Sequence, residues 1–126
     1  MLFLWIAPLF LFSIPFFLLC SLGERRLFSI MVMLACSAIL YINHELTHDM
    51  GNANGLAVAF ALFFFNAAAA GAIFGAAARC SLFVFDWEAS SHNGKKSIAI
   101  CYLIPCFWHA ATLIGMNFSP GALIFW

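Results

Sequence analysis

His44-Glu45-Leu46-Thr47-His48 is the segment in which residue type and spacing converge on a reaction. On a helix, positions four apart share a face one turn from each other, so His44 and His48 can grip a single divalent metal ion. Glu45, set between them, is then the candidate catalytic residue, a general base toward a metal-bound water. Such a site needs a third ligand. Asp49 is the nearest in sequence, but on a continuing helix it points about 100° away from His48.

These residues look like the metal motif of the zincin peptidases and are similar to the first histidine box of membrane desaturases and hydroxylases. That resemblance implies a zinc or iron site and spans only the HExxH itself. The desaturase pattern adds later histidine clusters on the cytoplasmic side, whereas Ser91-His92-Asn93-Gly94-Lys95-Lys96 offers His92 alone. A plainer reading uses the same residues. Ser37, Tyr41, His44 and His48 are spaced by four, three and four, and form the polar edge of a helix as it leaves a membrane. Such an edge meets water, headgroups or a partner.

Other polar positions lie deep in apolar sequence. Asn66 and His109 fall near the middle of long hydrophobic runs, where an unpaired polar group is costly and is expected to face protein. Tyr102, Cys106, His109 and Thr112 form one helical stripe, and Pro105 removes a backbone hydrogen bond to the Cys101 carbonyl within it. The stripe is either part of a proton or ion path or a set of interhelical contacts. One histidine at that depth is too few for a bis-histidine haem within the chain.

The packing signal is Gly71-Ala72-Ile73-Phe74-Gly75 within the alanine-rich run 67–78. Ala67, Gly71, Gly75 and Ala78 share a helix face, where absent side-chain bulk lets a second backbone approach closely. The helix that carries them is expected to be the hub, packing inside its own bundle or against a membrane partner. Cys20, Cys36, Cys80, Cys101 and Cys106 show no CxxC spacing and no pattern of paired bridges, and are read as small contact residues.

The elements that must position these residues follow from composition. The 126 residues are 66% hydrophobic and 8% charged, too little polar surface to coat a water-soluble globule of that size. The fold class expected is an all-α integral membrane protein: four transmembrane helices in one compact domain, over about 2–22, 27–43, 56–78 and 97–118, the first of them long enough for a hydrocarbon core of roughly 30 Å. The first run has no preceding basic residue and no small-x-small cleavage site after it, so it is expected to stay rather than be removed as a signal peptide. A loop from His44 to Gly55 and a polar link from Ser81 to Lys96 complete the chain.

Arg25, Arg26, Arg79, Lys95 and Lys96 are all the basic residues, and one topology puts every one of them on the same side. Short basic loops stay cytoplasmic, which leaves both termini and the 44–55 loop outside. Trp5 and Trp126 near the outer face and Trp87 near the inner suit an interfacial aromatic belt, whereas Trp108 lies mid-span. Compactness suggests a bacterial cytoplasmic (inner) membrane. The formal net charge of zero and the lack of a basic patch set nucleic acid aside.

Three function classes fit. The first is a non-catalytic protein acting by helix association with a membrane partner or its own copies, as an accessory subunit or a toxin-immunity protein. A chain this short leaves little material for an enclosed active site. The second is an enzyme with a divalent metal at His44 and His48. The third is a small oligomeric transporter or channel with His109, Asn66 and Tyr102 near its path. No cofactor other than that metal is expected.

Overall fold

The computed structural model of the protein describes residues 2–48 and 55–118, and side chains within them except those of 2–5, 56 and 112–118. The described chain is all helical: α1 (Leu2–Ser21), α2 (Arg25–His48), α3 (Gly55–Val84) and α4 (His92–Phe118). Two helices, Arg25–His48 and Ala57–Val84, are long and apolar enough to cross a membrane, and Ile6–Ser21 is a shorter apolar helix. Trp5, Asp49, Thr112 and Trp126 have side chains outside this description.

Three boundaries differ from the sequence expectation. α2 continues through His48, so the HExxH residues form its last turn rather than opening the following loop. α3 runs on past Arg79 to Val84, and α4 starts at His92, which shortens the expected link 81–96 to 85–91. The reason is capping chemistry. Asp86 takes a left-handed conformation at φ 50°, and the Trp87 N–H donates to the Leu82 carbonyl at 3.0 Å. This is the Schellman arrangement, with aspartate where glycine is commoner. At the other end of the turn the Gly94 N–H donates to Ser91 Oγ at 3.0 Å, making Ser91 the N-cap of α4.

α3 touches all three other helices, and its contact with α1 is by far the most extensive. The α1 face is a stripe of Pro8, Phe12, Phe16 and Leu19, spaced by four, four and three, all buried. Opposite it lie Gly71 and Gly75. A Cβ on Gly75 would sit 2.6 Å from the Phe16 carbonyl oxygen, and one on Gly71 would overlap the Phe12 carbonyl. Both glycines are therefore required by backbone-to-backbone approach within the chain. Phe12, Phe16, Cys20 and Ala78 form the core cluster, and Tyr102 and Phe74 close over it.

α4 is tied to this pair by two hydroxyl contacts. Ser13 Oγ and Tyr102 Oη are 2.8 Å apart, and Ser81 Oγ and Ser97 Oγ are 2.6 Å apart. α2 is different. Phe28 is its one buried residue, set edge-on to Phe83 at 5.4 Å, and the rest of the helix is half-buried or exposed.

The α1–α2 and α3–α4 connections meet at one end of the bundle. Arg79 donates to the Gly23 carbonyl at 3.3 Å and lies over the Phe83 ring at 4.5 Å. Arg25 pairs with Asp86 at 3.5 Å, both side chains largely exposed. All the basic residues thus gather at this end, and the His44–His48 turn is at the other.

Candidate functional site

Among the described residues, two places carry groups capable of chemistry: the last turn of α2 and a cavity between α1, α3 and α4. In the first, the imidazoles of His44 and His48 stack, with centroids 5.9 Å apart and planes 20° from parallel. Both are exposed, as is Glu45. Thr47 Oγ1 turns back onto its own helix, donating to the carbonyls of Asn43 at 2.8 Å and His44 at 3.0 Å. Among the described residues no group of three or more His, Cys, Asp or Glu is gathered where it could hold a metal ion. The helical spacing thus brings the two expected ligands together, and no third joins them from the described part of the fold. Ser37 and Tyr41 continue the same exposed edge toward the middle of α2.

The cavity has a volume of about 690 Å³ and is predominantly apolar. On one side of it α4 packs against the core cluster through Ile98, Cys101, Tyr102 and Cys106. The rings of Phe12, Phe16 and Phe17 lie 5.4, 5.2 and 5.4 Å from the Tyr102 ring, so that residue is absorbed in packing. Ile104, Pro105, Cys106, Trp108 and His109 of α4 border the cavity, at and beyond the turn that contains Pro105.

Asn66 from α3 and His109 from α4 both line this space. Asn66, expected to be packed against protein, is exposed to it. His109 is half-buried, with its ring 5.4 Å from Phe63. Trp108, which fits no interfacial belt, is 62% exposed and forms another wall. Along the stripe, Tyr102 bonds Ser13 on α1, Cys106 packs against the core cluster beside it and also borders the cavity, and His109 lines the cavity.

The small-residue face is divided. Gly71 and Gly75 are buried under α1 and Ala78 is fully buried in the core, while Ala67, half-buried, lines the cavity. The cavity itself was not apparent from residue spacing. Its only sequence signal is that Asn66 and His109, on different helices, sit at matching depths in their apolar runs.

Compared with protein-family models, with curated proteins and with solved structures, the chain matches none of them.

Proposed function

We propose that this chain is a four-span integral membrane protein, with its basic end in the cytoplasm and both termini and the 44–55 segment outside. It acts by lateral association with another membrane protein, as an accessory or immunity-type subunit. The observation that carries the reading is α2. Ser37, Tyr41, His44 and His48 lie exposed along one edge of a helix that contributes only Phe28 to its own core. Ser37 Oγ donates to the Met33 carbonyl of its own helix at 2.9 Å, but lipid offers little to the Tyr41 hydroxyl and the two imidazoles, whereas a neighbouring helix can bond them at about 0.6 kcal/mol per contact on average.

The association surface is then α2, because the glycine face of α3 is occupied by α1. The test is site-specific photocrosslinking in intact membranes. A photoreactive residue at Tyr41 should capture one membrane protein in near-stoichiometric yield, and the same residue at Leu103 on α4 should not. Substituting Ser37→Leu together with Tyr41→Leu should release that partner while helix content is kept. A chain that gives no adduct from Tyr41 and is recovered alone after gentle extraction would refute the reading. Orientation is tested separately: an impermeant reagent should reach the 44–55 segment from outside the cell and leave Lys95 and Lys96 unlabelled.

A further inference from the structure

We infer that the cavity between α1, α3 and α4 is a binding site for a neutral, ring-bearing lipophile that carries a carbonyl oxygen, of the quinone type. This depends on the chain lying in lipid, but not on partner association through α2.

The size is right for a molecule rather than for a packing defect, since ligand sites span about 300–1,000 Å³ and are apolar with a few placed polar groups. The walls favour a flat ring. Phe12, Phe63, Phe74 and Trp108 all contribute, and aromatic faces attract one another beyond the area they bury. The occupant should be uncharged, because among the described residues no Asp, Glu, Lys or Arg lines the cavity, and a buried charge without a counter-charge is prohibitive.

Depth decides between this ligand and ordinary phospholipid. With the expected spans 56–78 and 97–118, bounded at the basic end by Arg79 and Lys96, Asn66 sits at the centre of the first and His109 near that of the second. In a hydrocarbon core roughly 30 Å thick, a phospholipid headgroup is about 15 Å from either. A hydrogen-bonding oxygen reaches them only on a molecule that dissolves wholly in the core. The Asn66 amide supplies N–H donors suited to a carbonyl, and an imidazole can supply another.

Trp108 provides the readout. In the 126-residue chain with Trp5→Phe, Trp87→Phe and Trp126→Phe, it is the sole indole, and quinones quench indole fluorescence on contact. The probe is a decyl benzoquinone with every ring position substituted, so that the Cys106 thiol has no site for addition. Titrated into protein in detergent micelles, it should quench saturably, above the linear background of collisional quenching. Asn66→Leu and His109→Leu should each weaken binding about tenfold, and Ala67→Phe, which fills the cavity, should abolish the saturable phase, with helix content checked by circular dichroism.

Decylbenzene, which has the ring and chain but no oxygen, should compete at least tenfold less well. Purely linear quenching overturns the proposal, and so does equal competition by decylbenzene. The second outcome requires no substitution in the cavity, so it holds even if a cavity variant misfolds. Failure of impermeant labelling would refute the membrane orientation instead, without changing the micelle titration.

Discussion

The α1–α3 seam and the α2 helix both run through long apolar sequence, α2 with the more polar ends, and they finish in opposite states. At the seam, two glycines and a buried alanine on α3 let the α1 backbone settle against α3 at Phe12 and Phe16, and the surrounding side chains are sealed. α2 lacks such a row of missing side chains facing a neighbour, and it rests on the bundle through Phe28 and its first turn. The lesson is that hydrophobicity does not select contacts between helices when the medium is itself apolar; shape does.

That contrast can be broken most severely at the seam. Gly71→Leu or Gly75→Leu should destabilise the bundle by about 3 kcal/mol, because a side chain there meets backbone that has no room to yield. Unfolding in mixed micelles, followed by circular dichroism, measures this. Equivalent bulk on α2, as in Ala38→Leu, should change stability by less than about 0.5 kcal/mol, since that position is exposed. Equal losses at the two places would remove the distinction.

Next in size is the turn that lengthens α3. Asp86→Val should cost about 1–2 kcal/mol, because a β-branched residue resists the left-handed backbone at φ 50°, whereas Asp86→Gly should be neutral or stabilising. Tyr102→Phe should cost about 0.6 kcal/mol through loss of the Ser13 contact, with the ring packing retained. The smallest effect belongs to Arg25→Ala. Its ion pair with Asp86 is exposed on both sides and should contribute at most about 0.5 kcal/mol, falling with added salt.

The α2 end carries a separate test of chemistry. If His44 and His48 hold a metal, zinc or iron should stay with the purified protein and be lost on His44→Ala with His48→Ala. Unchanged metal content would sever the HExxH turn from any such role, and leave its imidazoles to the polar edge of α2.

Much of the architecture was legible before any coordinates. Length and hydropathy marked the helices, and the glycine spacing marked α3 as the one that others approach. The ends of the helices were less legible. The sequence 81–96 reads as polar linker because Ser, Asp, Glu and Lys crowd it, yet Asp86 and Ser91 are caps, and caps allow polar sequence to be helical right up to a short turn. For the HExxH residues a loop from His44 and a helix edge running through His48 were both legible, and the structure has them as the last turn of α2.

Composition and periodicity by themselves determined that this chain is helical, that its basic residues share one end, and that Gly71 and Gly75 mark a close approach. These are local properties, set by side-chain type and the 3.6-residue repeat. Only the tertiary structure decided which helix occupies the glycine face, that Tyr102 bonds Ser13 on α1, and that Asn66 and His109 open onto one space. Those outcomes depend on how three helices fit together, and a helical repeat says which residues share a face but not what that face will meet.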